Sequence, residues 1–600
     1  MKYIRKTSKN ITSNFLSELL KDRGFPIGEE EFDKSFFHPT WENLLPPVLL
    51  DHMEEGAQLL EKHILNGSKI FICVDSDVDG FTSAALTYNF LTENYSNYGI
   101  KINYHVPEGK EHGLKTIMDT FNRNKICDLI ILPDSSSNDY EEHTYLKNLG
   151  YDILVLDHHE ADHYSEDAVV INNQLSKDYE NKALSGVGVV FKFLTYFEMY
   201  FEEKKIAKMG EDGIYEAESW EPHIYQYLDL VALGEISDMM NMETIENRFI
   251  CEYGLNHINN GFFKELVEKQ SFSLGEGPLT QIGVAFYITP LINALIRVGS
   301  DTEKENLFKA FITPDLVVPS TKRGEKGMTE TIATQSARNC TNAKSRQKRE
   351  MDKAAALLNI QISDNCLEDN KILILEADDL DVSTTLTGLC AMGMAAAHKK
   401  PVMLGRTSPD GYLKGSIRGR EESELKDFKA FLLESGLMDY VEGHGNAAGF
   451  SIKKSNVRKL NDYANEKLKD VNFNEGFYEA DFVVSGNCSY LGDMIKSLSE
   501  GKTLWGQGNP EPVIIAENIT IDIKDIQIIG AYKDTMKFVF NGITYIKFKA
   551  KNMIEELFLQ SGKINISAAG RANINTYGGQ ETPQILLEEI EVKECSEEDF

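Results

Sequence analysis

The sequence predicts an α/β protein built from several domains. Between about residues 49 and 250, apolar runs of five or six residues alternate with helical segments, which is typical of a buried parallel sheet. The chain has 600 residues, enough for about three to five domains. Its hydrophobic fraction of 42% and charged fraction of 26% are those of an ordinary globular protein, and they exclude a chain that is disordered throughout.

The first sheet domain is predicted to span residues 49–320. Helices are expected at 53–64 and 81–91, and buried strands at 69–74, 128–132 and 152–156. Residues 1–48 are a mixed segment of helices and loops that ends near Leu45-Pro-Pro. We expect this N-terminal extension to pack on the first domain.

Residues 321–358 are predicted to form one long connecting helix with a basic face. From Lys322 to Arg349 the sequence carries eight Lys or Arg residues against two Glu, and no Pro or Gly occurs between Met328 and Leu358. Such a helix is either a solvated linker or one wall of a groove for a polyanion. The sequence leaves both interpretations open.

The remaining chain predicts two further domains. A second α/β domain is expected over residues 359–472, with a strand at 371–375, a helix at 387–397 and a strand at 401–404. From about residue 473 to 600, short alternating strands separated by turns predict a small β barrel or sandwich. These strands are expected at 513–516, 519–523, 536–540 and 543–548.

Composition restricts the class of protein further. The net charge of −32 argues against a protein coated in nucleic acid, although it is compatible with a local basic groove. The eight cysteines are scattered without a CxxC pair, so we expect a reduced, intracellular protein without a zinc ribbon or disulfide framework. No window approaches the roughly eighteen uninterrupted apolar residues of a membrane span, and no apolar segment follows the basic N-terminus. We therefore expect no membrane association and a cytoplasmic location.

Three carboxylates at alternate positions form the strongest local signal. Asp75, Asp77 and Asp79 follow directly on a predicted strand, and Gly80 permits a sharp turn into the next helix. Like charges this close repel one another unless a cation lies among them, and hard divalent cations prefer oxygen ligands. An EF-hand loop would need a bidentate Glu where Leu86 stands. A metal site of another kind is therefore favoured over a solvated turn.

Further acids and two histidines follow the neighbouring predicted strands. Asp134 comes after the second strand, and Asp157-His158-His159 come at the end of the third. Because ligands of open parallel sheets bind beyond the carboxyl ends of the strands, these side chains are expected to converge. Asp238 would add another acid. Mixed carboxylate and imidazole ligands suit Mn²⁺, Zn²⁺ or Fe, carboxylates alone suit Mg²⁺, and a shared carboxylate would give a two-metal centre for phosphoester hydrolysis.

These motifs carry a resemblance to the DHH phosphoesterase superfamily. Four of them occur in the order of that superfamily: Asp75-Ser-Asp77-Val-Asp79, Asp134, Asp157-His158-His159 and Ala232-Leu-Gly-Glu-Ile-Ser-Asp238. Other segments resemble RecJ-type members, with their accompanying DHHA1 domain and C-terminal OB domain: Leu184–Lys192, Thr289–Arg297, Gly415–Arg418, Gly443–Gly449 and Trp505–Pro512. The resemblance covers nearly the whole chain. It implies a DHH-type parallel-sheet domain, a DHHA1 domain and an OB-like domain.

The resemblance also implies a reaction and its site. It implies a two-metal phosphodiesterase that degrades single-stranded DNA from the 5′ end to mononucleotides, with two Mn²⁺ or Mg²⁺ ions as cofactors. The implied metal ligands are Asp77, Asp79, Asp134, His158 and Asp238. His159 is expected to face the scissile phosphate, and Asp75 and Asp157 either ligate a metal or orient its ligands.

Contacts with phosphate or the DNA backbone are implied at a second set of positions. The expected residues are Asn293, Arg297, Ser416, Arg418, Gly443 and His444, with Arg338 and Lys344 on the basic helix. Arg297 has the alternative of a structural ion pair. The sequence departs from the RecJ pattern Pro-x-Arg, which here is Pro107-Glu108-Gly109. One usual cation is thus missing, which weakens the expected recognition of a 5′ end.

Two other functions compete with the exonuclease. One is a DHH phosphodiesterase for short oligonucleotides or cyclic dinucleotides, which would usually lack a C-terminal β domain. The other is a non-catalytic replisome or repair scaffold that has lost metal ligands. For the exonuclease we expect a role in DNA repair or recombination, a chromosomal or phage origin, and a helicase and a single-strand-binding protein as partners. RNA remains open as a substrate, because phosphate contacts do not sense the 2′-OH.

Overall fold

The computed structural model describes residues 1–7, 10–109, 112–121, 125–209, 222–577 and 580–593. Two compact units are present. The central unit comprises residues 30–346 and 503–510, and the terminal unit comprises residues 1–29, 347–502 and 511–600. The predicted domain boundaries at 320, 358 and 472 stay predictions.

A five-stranded parallel sheet forms the middle of the central unit. The strands lie in the order Lys101–His105, Lys69–Cys73, Leu129–Pro133, Asp152–Asp157 and Val169–Asn172. The three strands predicted from apolar runs are present to within one residue at either end. Their side chains are almost all buried, as expected of a parallel sheet covered on both faces.

Helices surround this sheet and contribute most of the core. The helices of the central unit are Glu30–Phe37, Met53–Leu65, Val78–Tyr95, Met118–Phe121, Tyr140–Asn148, Gly186–Met209, Leu228–Ser237, Ile245–Asn256, Gly261–Lys269, Ser271–Leu274, Gln281–Gly283, Thr289–Val298 and Asp301–Ile312. A π turn, Val284–Ile288, joins Gln281–Gly283 to Thr289–Val298. The predicted helices at 53–64 and 81–91 are confirmed, and the second begins earlier because Asp77 caps it at Val78.

The connecting helix begins later than the sequence predicts. The strands Val317–Pro319 and Thr329–Thr331 form an antiparallel hairpin, and the helix runs from Ile332 to Asp364. Residues 321–331 are therefore not helical, and the prediction is wrong there. Gly324 and Gly327 have φ of 91° and 88°, a left-handed geometry that breaks a helix and suits a turn.

The terminal unit contains a five-stranded mixed sheet. Its strands lie in the order Met438–His444, Ala447–Lys453, Tyr412–Arg418, Val402–Thr407 and Leu373–Glu376. The helices of this unit are Phe15–Asp22, Thr387–His398, Phe428–Glu434, Val457–Lys467, Leu491–Glu500 and Lys551–Leu557. The predicted α/β elements between 371 and 404 are all present, with ends that differ by up to three residues.

A seven-stranded sheet follows in the C-terminal region. Its order is Phe482–Ser485, Ile514–Asp522, Lys563–Tyr577, Gln580–Lys593, Ile543–Lys547, Thr535–Phe540 and Gln527–Ile529. The two strands predicted at 513–516 and 519–523 are one strand with a bulge between Ala516 and Ile519. Asn518, at φ 57°, lies in this bulge. Asparagine is also typical of turns, which is why the sequence pattern predicts two strands with a turn between them.

The N-terminal extension is divided between the two units. The strand Lys2–Arg5 pairs in parallel with Phe477–Ala480, and residues 1–29 belong to the terminal unit. The prediction that all of residues 1–48 pack on the first domain is therefore wrong for residues 1–29. The partner strand lies more than 470 residues along the chain, so no local pattern could indicate it.

One helical stretch, Gln281–Val298, is long and apolar enough to cross a membrane by length and composition alone. Half of it is buried in the protein, and Ile288, Ile292 and Leu295 belong to the main core of the central unit. Its burial in the core is that of a core helix. All seven cysteines in the described part of the chain are free thiols, and Cys595 lies outside it.

Candidate metal centre

Three carboxylates converge at the carboxyl edge of the parallel sheet. Asp75 follows the strand Lys69–Cys73, Asp134 follows Leu129–Pro133, and Asp157 ends its own strand. These strands are consecutive neighbours in the sheet, so their ends lie side by side. Asp75 and Asp134 are 3% and 1% exposed, and Asp157 is fully buried. The predicted convergence is present.

Potential metal ligands form three overlapping groups at this edge. Within each group the ligand atoms lie within 4.8 Å of one another. The groups are Asp134, His158 and His159; Asp79, His158 and Asp238; and Asp75, Asp77 and Asp134. All five residues predicted as metal ligands are members. Asp134 and His158 each belong to two groups. A carboxylate can bind two ions through its two oxygens, so Asp134 fits a ligand shared between neighbouring ions, whereas Nε2 of His158 can bind only one.

His158 lies among three carboxylates. Its Nε2 is 3.2 Å from Asp134 Oδ1, 3.5 Å from Asp238 Oδ2 and 3.9 Å from Asp79 Oδ2. Burial and, to a lesser extent, the charge of His159 lower the pKa of His158 to about 4. The imidazole is therefore neutral at physiological pH, which is the form that binds a metal. Burial, together with the charge of Asp77, raises the pKa of Asp238 to about 7.

The buried carboxylate of Asp134 lies among other carboxylates. Its Oδ1 is buried and accepts no hydrogen bond from any residue that the structure describes. Burial raises its pKa well above the usual range, and the charges of Asp79, Asp77 and Asp75 add to the effect. A carboxylate in this position needs either a proton or a cation. The donor set of carboxylates and one neutral imidazole fits a divalent cation that prefers oxygen ligands.

Backbone amides hold Asp79 at the start of a helix. Its carboxylate accepts hydrogen bonds from Gly186 N at 2.7 Å and Val187 N at 3.0 Å, in the first turn of Gly186–Met209. A Cβ atom at position 186 would collide with the carboxylate of Asp134. Glycine is therefore needed here for close approach. The segment 184–192, which the sequence linked to the site only by family resemblance, thus holds the Asp79 carboxylate and leaves room for Asp134.

Asp157 orients the second histidine. It accepts hydrogen bonds from Ser137 N at 3.0 Å, His158 N at 2.8 Å and His159 Nδ1 at 2.7 Å. Burial alone would raise the pKa of Asp157, but the hydrogen bond from His159 lowers it below its usual range. The same bond raises the pKa of His159 to about 9. With its oxygens used in this way, Asp157 orients His159 and is absent from the ligand groups.

A third histidine, His112, was not predicted. Its Nδ1 lies 2.7 Å from Asp75 Oδ2, and its side chain is 60% exposed. This pair has the same form as Asp157 and His159, whose imidazole is 57% exposed. His112 belongs to the loop after the strand Lys101–His105, seven residues beyond the strand end. The rule that finds polar residues directly at strand ends could not reach that far.

The predicted DNA contacts in the central unit divide into two kinds. Arg297 is partly buried, and its charge interacts with Asp77 and with Lys344, while Asn293 lies one turn earlier on the same helix. Arg338 instead forms a bidentate ion pair with Glu330, in which Nη2 lies 2.7 Å from Oε1. That pair joins the hairpin to the connecting helix. The contact of Arg338 with DNA stays a prediction.

The remaining predicted contacts lie together in the terminal unit. Arg418 is paired with Ala447, and Ala447 with His444, so the three side chains lie in one row on one face of the sheet. Ser416 is two residues before Arg418 and shares that face. Gly443, at φ 127°, is the penultimate residue of the strand Met438–His444 and is paired with Ala448. The structure thus places Ser416, Arg418 and His444 on one face of this sheet. Their contacts with phosphate stay a prediction.

Comparison with known proteins gives two family matches. Residues 69–234 match the N-terminal domain of the DHH family, and residues 492–589 match the RecJ OB domain. The first match contains the strands and most of the ligands described above. The second covers most of the seven-stranded sheet.

Similar proteins extend over nearly the whole chain. A protein of Bacillus subtilis (strain 168), described as a putative SPbeta prophage-derived single-strand DNA-specific exonuclease YorK, is 36% identical over 584 residues, 96% of each chain. The single-stranded-DNA-specific exonuclease RecJ of the same organism is 25% identical over 96% of this chain and 68% of its own length. The crystal structure of RecJ in complex with Mn²⁺ from Thermus thermophilus matches with a TM-score of 0.68 at 20% identity, over 96% of this chain and 76% of that chain. The chain therefore belongs to the RecJ-type single-strand-specific exonucleases of the DHH family.

Proposed function

We propose that this chain is a metal-dependent exonuclease that hydrolyses single-stranded DNA from its 5′ end to mononucleotides. The buried cluster around Asp134, whose Oδ1 accepts no hydrogen bond within the described part of the chain, carries the proposal. The relatives described as single-strand DNA-specific exonucleases support the choice of substrate. The polarity and the product are proposed from the RecJ resemblance.

The cluster would hold two divalent ions, Mn²⁺ or Mg²⁺. Asp79, His158 and Asp238 would bind one ion, and Asp75, Asp77 and Asp134 would bind the other, since each set forms a compact group. When bound, such ions neutralise phosphate charge and lower the pKa of an attacking water. The solved RecJ structures with Mn²⁺ and with Mg²⁺ support this choice of metals.

His159 would act on the substrate directly. Asp157 holds the imidazole through Nδ1, so Nε2 is directed away from Asp157 and is available to the scissile phosphate or the leaving oxygen. Asp157 thereby fixes the orientation in which His159 donates a hydrogen bond or a proton. Arg297 and Lys344 would contact phosphate near Asp77. Ser416, Arg418 and His444 would contact phosphate from the terminal unit.

Aromatic residues of the C-terminal sheet would stack on bases of the strand. Phe538 and Tyr545 are excluded, because they are buried and stacked on each other at 5.0 Å between ring centroids. Tyr532 and Phe548 are 90% and 59% exposed. These two are the aromatic residues of that region that we propose as DNA contacts.

The two competing functions are less well supported. The match to a RecJ OB domain disfavours a phosphodiesterase for short oligonucleotides or cyclic dinucleotides. The complete set of predicted ligands disfavours a non-catalytic scaffold. We further propose a cytoplasmic enzyme of phage or mobile-element origin that acts in repair or recombination, beside a helicase and a single-strand-binding protein. The prophage-derived relative supports that origin.

A digestion time course with Mn²⁺ tests the function. The substrates are a single-stranded DNA labelled at either end, the matching duplex, the matching RNA and a dinucleotide. We expect immediate release of a mononucleotide from the 5′ label, with the duplex spared. Turnover of the dinucleotide alone would contradict the proposal and support the small-substrate phosphodiesterase. Digestion of the RNA at a similar rate would widen the substrate class.

A further inference from the structure

Two exposed aromatic side chains lie on the helical stretch Gln281–Val298. Phe286 is 70% exposed and Tyr287 is 43% exposed. Both belong to the π turn Val284–Ile288. Turns of this kind are rare and occur frequently at functional sites. An exposed phenylalanine beside an exposed tyrosine is therefore a candidate contact surface.

The open face of this helix leads from Phe286 to the metal centre. Every residue from Ile288 to Ile296 is buried except Pro290 and Asn293. The positions 286, 290, 293 and 297 are spaced by four, three and four residues, so they share one side of a helix. Arg297 ends this row, where its charge interacts with Asp77. One continuous stripe thus joins an aromatic ring to a cation at the metal centre.

We propose that Phe286, with Tyr287 beside it, is a base-stacking site that holds single-stranded DNA at a fixed distance from the metal centre. The inference rests on the proposed function and adds a subsite to it. Aromatic faces stack on bases of any sequence, and an arginine at the other end engages a phosphate. A DNA strand bound for cleavage must reach the metal centre, and the stripe ends at Arg297, whose charge interacts with the metal ligand Asp77. A surface for a partner protein would have no need to end there.

The helix sets the distance between the two ends of the stripe. Eleven residues separate Phe286 from Arg297, which at about 1.5 Å per residue is roughly 16 Å. A stacked strand advances about 3.4 Å per nucleotide, so the base at Phe286 is about five nucleotides from the phosphate at Arg297. Oligonucleotides shorter than about five nucleotides cannot contact both.

Substrate length provides the test. Release of the first nucleotide is measured with Mn²⁺ on 5′-phosphorylated single strands of 3 and 12 nucleotides. In Phe286→Ala the KM for the 12-mer is expected to rise about tenfold, as for the loss of one stacked base, while the KM for the 3-mer and both kcat values stay unchanged. Phe286→Trp is expected to keep the wild-type KM, because it retains an aromatic face. Tyr145→Ala is the matched control, since it removes an exposed aromatic ring from another helix of the central unit.

Abasic substrates locate the contact. Binding of 12-mers that lack one base is measured in the Asp134→Asn background, with and without Phe286→Ala. Removal of the base near position five is expected to weaken binding only where Phe286 is present. An unchanged KM for the 12-mer, or an equal loss for both lengths, would overturn the stacking site. If the chain hydrolyses neither strand, the proposed function fails, and the binding series still decides the stacking site by the presence or absence of the same dependence.

Discussion

Substitution of Asp134 by asparagine removes the charge on which the metal centre depends while preserving the shape of the side chain. Burial and four neighbouring carboxylates raise the pKa of Asp134, so its ionised form is destabilising when no cation is bound. Without metal, at pH 8, Asp134→Asn is therefore expected to melt at a higher temperature than the wild type. With metal, the order is expected to reverse, because the variant has lost the ligand shared by two of the three groups.

The size of the metal effect follows from mass action. Free metal at one hundred times its Kd stabilises the native state by about 2.7 kcal/mol. In a unit as large as the central one, about 1 kcal/mol moves the melting temperature by roughly 2 °C, which gives a rise of about 5 °C for the wild type. For Asp134→Asn we expect a rise below about 1 °C at the same metal concentration.

Thermal unfolding followed by circular dichroism, after dialysis against chelator and then with a titration of Mn²⁺, measures these shifts. Asp128→Asn is the matched control, because Asp128 precedes the amino end of the strand whose carboxyl end leads to Asp134. The control is expected to respond to Mn²⁺ like the wild type. An equal response of Asp134→Asn and wild type would refute the assignment of the metal centre. A lower melting temperature of the metal-free variant would refute the argument that the Asp134 carboxylate is uncompensated.

Two further predictions concern the central unit. Gly186→Ala is expected to abolish Mn²⁺ binding and hydrolysis, because the added Cβ would collide with Asp134. Calorimetry of Mn²⁺ binding measures this effect. Normal binding would show that the segment can move away from Asp134. Asp152→Asn tests pH dependence: burial would raise the pKa of Asp152, but hydrogen bonds from Lys62 and His63 lower it from 3.8 to about 2. A carboxyl group whose pKa is lowered by folding stabilises the fold at pH values above its unfolded-state pKa, and this stabilisation is lost as the pH falls toward 2. The difference in melting temperature between wild type and Asp152→Asn is therefore expected to narrow from pH 5 to pH 2.5. A constant difference would contradict the lowered pKa of Asp152.

The carboxylate cluster could be predicted from sequence because it depends on a rule that local pattern satisfies. Asp75, Asp134 and Asp157 each follow a short apolar run, and parallel strands place such positions at one edge. The order of the strands did not matter, since any arrangement of neighbouring parallel strands brings their carboxyl ends together. Asp238 came from a separate acidic segment rather than from this rule, since it lies after a helix and not after a strand.

What escaped prediction depends on contacts between distant segments. His112 becomes part of the site only because its loop returns to Asp75, 37 residues away. The strand Lys2–Arg5 finds its partner at Phe477–Ala480 through pairing that no local periodicity records. The hairpin before Ile332 is indicated in the sequence by two glycines, Gly324 and Gly327. The basic composition of the segment nevertheless favoured the prediction of a continuous helix. Composition is a weaker guide than glycine where a left-handed backbone is required.

The acidic balance of the chain and its proposed substrate are reconciled at the metal centre. A net charge of −32 and the carboxylates around Asp134 both repel a phosphate backbone. Divalent ions held by the cluster would reverse the local field, so DNA bound there would gain affinity from the metal. Such coupling is reciprocal: a strand at the metal centre strengthens metal binding by the same factor by which metal strengthens DNA binding. We therefore expect the acidic surface to disfavour DNA elsewhere on the molecule, and the strand to bind near Arg297 and Lys344, whose charges interact with each other and, for Arg297, with Asp77.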